Sequence, residues 1–217
     1  MNLIAHRGWR AGAGENTLAA LARAAGDERI AGVEFDVRYM ADHSTLVLSH
    51  DPPANLEGVL TLDAALAFLA GTDLELFIEI KEPGIAALVI AKLVASKMAD
   101  RSVVFGFPPA ARTFPWHGPR PVRLGIIILY PWSLNRIVAM YRPDVLFLGW
   151  DYRPWTRRAF QAWWSVFSLE RRARRHQAPI VVGIVERPQD LRWLARRRIY
   201  GAVADFETRA EIDSIKS

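Results

Sequence analysis

The stretch "VEFDVRYM", residues 33–40, lies between a glycine-marked turn and a polar loop. Side chains alternate faces along a strand, so Val33, Phe35 and Val37 point one way and Glu34 and Asp36 the other. The apolar face reads as buried, which brings both carboxylates into one small volume beside it. Two like charges that close repel each other unless a proton or a cation lies between them.

Outward from this strand, short β-type runs recur along the chain. They are Leu3–His6, Gly32–Tyr39, Glu75–Lys81, Ser102–Phe107, Val122–Leu129, Val145–Trp150, Ile180–Val185 and Gly201–Ala204. Helical patterns rich in Ala, Leu and Arg separate them, over Thr17–Ala25, Leu62–Ala70, Ile85–Met98, Ser133–Tyr141, Trp155–Arg175 and Gln189–Arg198. The proline-rich link from Phe107 to Val122 has room for a short helix at most. Strand–helix alternation implies a parallel sheet, and eight units predict a closed, compact (β/α)8 TIM barrel, with a doubly wound open sheet as the alternative.

The chain has 217 residues, 51% of them hydrophobic, and no cysteine. That length suits one domain over residues 1–217, with no linker or repeat to divide it. Neither a disulfide framework nor a thiolate metal site is available. The N-terminus enters a strand-like segment directly, without the apolar stretch and cleavage site of a secretory signal, so a cytoplasmic location is expected. Apolar runs such as "LGIIILY", residues 124–130, are far shorter than the ~20 residues a membrane span needs. The net charge of +5, mostly from arginine, suits anionic company.

A barrel places its active site at the C-terminal ends of the strands, and the polar residues gather there. "AHRG" sets His6 and Arg7 at the first tip, Glu34 and Asp36 lie on the second strand, and "FIEIK" carries Glu79 and Lys81 on one face. The run "STLVLSHDP" brings His50 and Asp51 to its own end. Hard oxygen ligands such as Glu34, Asp36 and Glu79 suit Mg2+ or Ca2+ better than zinc.

In order, "HRG" at 6–8, "ENT" at 15–17, "EFD" at 34–36, "SHDP" at 49–52 and "EIK" at 79–81 resemble the motif series of the glycerophosphodiester phosphodiesterases. The likeness covers about the first 80 residues, and "YGAVADF" at 200–206 resembles a divergent form of the family's last strand, with Asp205 at its terminal aspartate. The resemblance implies metal-dependent hydrolysis of a small-molecule phosphodiester, with His6 and His50 as the acid–base pair and a cyclic phosphate as one route. Arg7 as a fork and Lys81 as a point charge would hold the phosphoryl oxygens. Asn16 or Thr17 is expected to cap a helix and Glu15 to bond nearby backbone. Asp51 either orients His50 or organises the turn at Pro52–Pro53. His43, His117 and His176 read as ordinary surface residues.

Departures from the family pattern leave the alcohol unassigned. "DPPANLEGVLT" stands where the family carries a sizeable insertion, Gly106-Phe107 replaces Ser-Phe, and "VVGIVE" replaces a tryptophan motif. Trp132 and Trp150 either wall an apolar pocket or pack the barrel. In the basic aromatic segment 154–177, Trp155, Phe160, Trp163, Trp164 and Phe167 follow the spacing of a helix packed on the barrel. Peripheral membrane or lysolipid contact is a further expectation, whereas no nucleic-acid partner is expected without a recognised binding motif. Two other readings stand beside the phosphodiesterase: a related barrel phospholipase acting on lysophospholipids, and a non-catalytic phosphate- or lipid-binding barrel.

Overall fold

The computed structural model describes residues 1–205 except Ala11, Ala54, Leu56, Asp151 and Tyr152. Phe206, the last residue of "YGAVADF", and two residues of "DPPANLEGVLT" therefore lie outside the described residues. Eight parallel strands close into a barrel: β1 (Asn2–Ala5), β2 (Ile30–Tyr39), β4 (Glu75–Ile80), β5 (Ser102–Gly106), β6 (Arg123–Ile128), β7 (Val145–Leu148), β8 (Ile180–Val185) and β9 (Gly201–Ala204). Closure runs through β1, which pairs with β9 from Asn2 opposite Gly201 and with β2 from Leu3 opposite Ile30. A short β3 (Leu46–Leu48) runs antiparallel on the end of β2, with Val37 opposite Leu48. All eight predicted parallel runs are present, and the closed barrel excludes the open sheet.

Alternation along the strands divides the core into two. Val33, Phe35 and Val37 of β2, with Leu3 and Ala5 of β1, face outward into the large cluster under the helices. Ile4, Phe77, Val103, Phe105, Val145, Phe147, Val181 and Val203 fill the barrel interior. Phe105 stacks on Phe147 at 3.7 Å, and Phe77 meets Phe147 edge-on at 6.2 Å. Gly125 makes room for these rings, since a Cβ there would lie 2.6 Å from Phe147. Below them the Arg123 guanidinium pairs with Glu75, which also accepts a hydrogen bond from the Tyr200 hydroxyl at 2.6 Å, so the N-terminal end of the barrel is plugged.

The helices are α1 (Leu18–Ala25), α2 (Leu62–Leu69), α3 (Ala86–Ala95), α4 (Pro108–Ala111), α5 (Leu134–Tyr141), α6 (Pro154–Phe167), α7 (Leu169–Arg175) and α8 (Pro188–Ala195). The helix predicted over Trp155–Arg175 is two helices. Ser168 adopts a left-handed conformation (φ 43°), and the chain turns there so that Leu169 is buried. Within α6, Phe160 and Trp164 pack inward as their spacing predicts, but Trp155 and Phe167 are exposed. No described helix is long and apolar enough to cross a membrane.

Candidate active site at the barrel mouth

Interior positions one step beyond the packed layer are polar on one side of the barrel. Continuing the alternation from Ile4, Gly32, Phe77 and Val203 brings His6, Glu34, Asp36, Glu79, Lys81 and Asp205 to the C-terminal mouth. A cavity of about 230 Å3 opens there, and its lining includes His6, Arg7, Glu34, His50, Glu79 and Lys81. The opposite wall comes from β5–β8 and is apolar, formed by Phe105, Phe107, Ile127, Leu129, Phe147 and Trp150. Trp150 thus walls the cavity, while Trp132 is 62% exposed and lies outside it.

The "HRG" segment is held by backbone bonds that fix the polar wall. Gly8 donates its N–H to the Glu34 carbonyl at 3.2 Å, and Arg7 accepts from the Asn16 N–H at 2.9 Å. Gly8 is required twice over: its φ is +77°, and a Cβ would sit 2.8 Å from Ala20 Cβ. The Arg7 N–H donates to Glu34 Oε2 at 3.0 Å. Its guanidinium is already engaged, donating through Nη1 to both oxygens of Glu15 (2.8 and 2.9 Å) and lying with Nε 2.9 Å from Asp36 Oδ2. Glu15 therefore braces Arg7 instead of bonding backbone, and Thr17 is the residue that caps α1.

Asp36, 1% exposed on its side chain, is fixed from several directions. Asn16 Nδ2 donates to its Oδ2 at 3.0 Å, Asn16 Oδ1 accepts its backbone N–H at 3.2 Å, and Lys81 Nζ lies 3.0 Å from Oδ1. Lys81 also donates to Glu79 Oε1 at 2.7 Å. Burial alone would raise the Asp36 pKa, but the charges of Lys81 and Arg7 outweigh it and hold the carboxyl below its usual range. Glu34 moves the other way: burial first, then repulsion from Asp36 and Glu79, pushes it well above the ordinary 4.5. Glu79 is raised by burial and by Asp36 despite the opposing charge of Lys81.

Glu34, Asp36 and Glu79 each offer an oxygen within 4.8 Å of the others. Glu34 Oε1 is buried without a hydrogen-bond partner, and Asp36 Oδ1 has only the Lys81 ion pair. Three carboxylates face Lys81 and an Arg7 shared with Glu15, so negative charge is in excess around Glu34. An all-oxygen donor set with an unsatisfied buried oxygen and surplus negative charge fits a hard divalent cation such as Mg2+ or Ca2+.

The two histidines have different settings. His6 is buried, with Nδ1 2.8 Å from Asp205 Oδ1 and Nε2 3.9 Å from Glu34 Oε2. Asp205 is also 3.2 Å from Arg10 Nη2. His50 is partly exposed at the rim, its Nδ1 3.0 Å from Asp51 Oδ1. Asp51 thereby faces the ring of His50, while its carbonyl accepts the Ser49 hydroxyl at 2.6 Å within the turn. His43, His117 and His176 are all exposed, away from this cavity.

The sequence-predicted site residues are thus brought to one mouth. Asn16, Glu15 and Asp205, expected from the sequence as a cap, a backbone partner and a strand match, instead fix Asp36, Arg7 and His6. The signal for Asp205 was its place at the end of the last strand. Nothing in the local sequence around Asn16 pointed to a carboxylate twenty residues away.

The fold resembles several solved structures across nearly its whole length. A glycerophosphodiester phosphodiesterase from Parabacteroides distasonis is 18% identical with a TM-score of 0.77, covering 99% of this chain and 96% of that one. One from Agrobacterium tumefaciens is 18% identical with a TM-score of 0.77, covering 100% and 99%. An Oleispira antarctica phosphodiesterase, solved in complex with the product sn-glycerol-3-phosphate, is 18% identical with a TM-score of 0.76, covering 100% and 97%. At these identities the likeness speaks for the fold. No protein-family model matches the sequence, and no curated protein matches it.

Proposed function

We propose that this chain is a metal-dependent phosphodiester hydrolase of the glycerophosphodiester phosphodiesterase family, releasing an alcohol and glycerol phosphate, with residues 1–217 acting as one domain. The observation that carries the reading is the cluster of three carboxylate oxygens within 4.8 Å, in which Glu34 and Glu79 line the same cavity as two carboxylate-anchored histidines. The motif series in the first 80 residues and the shared barrel of the solved phosphodiesterases support it.

Glu34, Asp36 and Glu79 would hold Mg2+ or Ca2+, which when bound supplies positive charge for the phosphoryl oxygens. Lys81 adds a second cationic contact from the protein side, and the remaining Nη2 of Arg7 a third. With Nδ1 directed at a carboxylate, each histidine keeps Nε2 for proton transfer. One takes a proton from the attacking oxygen and the other protonates the leaving alkoxide. Where the attacking oxygen is the substrate's own 2-hydroxyl, a cyclic phosphate forms, and the histidines exchange roles as water opens it.

The apolar wall of β5–β8 favours a substrate with a hydrophobic portion, so lysophospholipids, and with them lipid metabolism at a membrane surface, are the second substrate class. The expected compartment is the cytoplasm. The test is hydrolysis of a glycerophosphodiester and of a lysophospholipid with Mg2+ or Ca2+, then in chelator, followed by kcat/KM for diesters differing only in the size of the retained alcohol. Metal-dependent turnover supports the reading, and a flat or rising series supports the apolar wall as a binding surface. Phosphate-ligand binding without turnover of either substrate would reduce the protein to a non-catalytic binding barrel.

A further inference from the structure

Helix α6 turns an apolar stripe to solvent. Trp155, Ala159, Ala162 and Val166 are spaced by three and four residues, hence share one side of the helix, and all four are exposed. Trp155 is 64% exposed and Val166 73%. Beside the stripe, Trp163 stacks on Phe167 at 4.2 Å and meets Trp132 edge-on at 5.7 Å, while Trp132 stacks on Tyr130 at 5.0 Å. Leu129, the neighbour of Tyr130, lines the cavity. An apolar surface therefore runs from the lip of the site, across the segment after β6, onto the outer side of α6.

The charged side chains of the segments that carry it have one sign. Residues 129–142 and 153–169 contain five arginines, Arg136, Arg142, Arg153, Arg157 and Arg158, and no Asp or Glu. Arg157 is committed to Asp190 at 3.0 Å, whereas Arg136 and Arg158 are exposed. We propose that this face docks onto an anionic phospholipid bilayer and so brings the mouth of the site to phosphodiesters carried in the lipid surface. Tryptophan and tyrosine rings sit favourably at the headgroup level, where an apolar body and a polar edge are both accommodated. Arginines at the border add attraction to anionic headgroups. A second copy fits less well, because a two-fold interface sets the patch against itself and the same arginines face one another.

The docking deepens the phosphodiesterase reading by naming where its substrate resides, and the delivery role rests on that reading. Binding of vesicles does not. The probe is co-sedimentation with vesicles of phosphatidylglycerol and phosphatidylcholine against phosphatidylcholine alone, at low and high salt. The expected result is salt-sensitive binding to the anionic vesicles only, reduced about tenfold by the double substitution Trp155→Ser/Val166→Ser and at least threefold by Arg136→Gln/Arg158→Gln. Hydrolysis of a soluble glycerophosphodiester should be the same in parent and variants; if the parent has none while docking persists, the catalytic reading fails and the docking stands. Absence of binding, equal binding to both vesicle types, or binding indifferent to these substitutions overturns the proposal. So does a dimer in sedimentation velocity that Trp155→Ser/Val166→Ser dissolves while vesicles are ignored, which would assign the face to a second copy.

Discussion

Replacing Glu34 by Gln separates metal ligation from folding. The residue is 2% exposed; Oε2 accepts the Arg7 N–H at 3.0 Å, and Oε1 has no hydrogen-bond partner. Glutamine keeps the shape and an acceptor for Arg7, and it removes a charge that burial, Asp36 and Glu79 all disfavour. The metal-free variant should therefore be at least as stable as the parent, and a gain of about 1 kcal/mol would raise Tm by about 2–4 °C at this chain length. Metal affinity should move the opposite way. Losing a group that merely orients a ligand costs about 10–100-fold in affinity, and losing a ligating carboxylate costs at least that. Calorimetric titration with Mg2+ and Ca2+ measures the affinity, and thermal unfolding in chelator and in saturating metal measures the coupling. Unchanged metal affinity, or a metal-free variant unfolding several degrees below the parent, would refute the assignment.

The pH dependence of stability has a definite sign for each carboxylate of the cluster. A carboxyl whose pKa is raised by folding binds its proton more tightly in the folded state. Between the unfolded value near 4.5 and the raised folded value, the folded protein holds the extra proton, so metal-free stability falls as pH rises. Glu34→Gln should flatten that fall, leaving the part due to Glu79, which is raised as well. Asp36 acts oppositely, because its pKa is lowered; its stabilisation is present above the unfolded value and is lost as pH falls through the folded one. Metal affinity should rise with pH, since the raised pKa of Glu34 lets a proton compete with the ion there.

The remaining predictions concern the histidines and the packing beneath them. His6→Ala or His50→Ala should each lower turnover by ~10²–10⁴ while metal titration stays near the parent's; loss of metal in the His50 variant would make that residue a ligand instead. Asp205→Asn should lower kcat within the same ~10²–10⁴ range, change the pH profile and leave KM near the parent's, because the aspartate contacts His6 Nδ1 and does not itself line the cavity. An unchanged kcat and pH profile would leave Asp205 a purely structural partner of Arg10. Gly125→Ala should destabilise by about 1–3 kcal/mol in denaturant unfolding, as its methyl would press on Phe147 at 2.6 Å; a neutral result would mean that the ring has room to move.

Much of the architecture was readable because barrel strands are buried on both faces and repeat with helices between them. The signals that failed were those set by side-chain exposure at a distance. The period of Trp155, Phe160, Trp163, Trp164 and Phe167 suggested one packed face, yet only Phe160 and Trp164 reach the core fully, because Trp155 and Phe167 fall outside the arc that meets the barrel. The break at Ser168 was hidden because Leu169–Arg175 carries strong helix formers, and a left-handed serine leaves little mark in sequence. The carboxylates were visible as an anomaly on a buried strand. The way each is held was not, since Asn16 and Glu15 lie on a turn whose left-handed residues Arg7 and Asn16 depend on tertiary contacts.

Barrel closure accounts for the division of the cavity into two chemically different walls. β1, β2 and β4 are neighbours, and β9 joins them only because the last strand pairs with the first. His6, Glu34, Asp36, Glu79 and Lys81 therefore form one continuous polar arc, and Asp205, 199 residues away in sequence, reaches His6 Nδ1 at 2.8 Å. The remaining strands, β5–β8, have no partner in this charge network and present Phe105, Ile127 and Phe147 instead. Repulsion among buried carboxylates is thus confined to one side, where Lys81 and Arg7 partly offset it and a cation can complete the balance. The other side remains free to be apolar and continues through Leu129 to the exposed aromatic surface of Tyr130, Trp132 and α6. A diester with its phosphate on the polar arc would lay its hydrophobic portion along that path, toward the face proposed to meet the lipid.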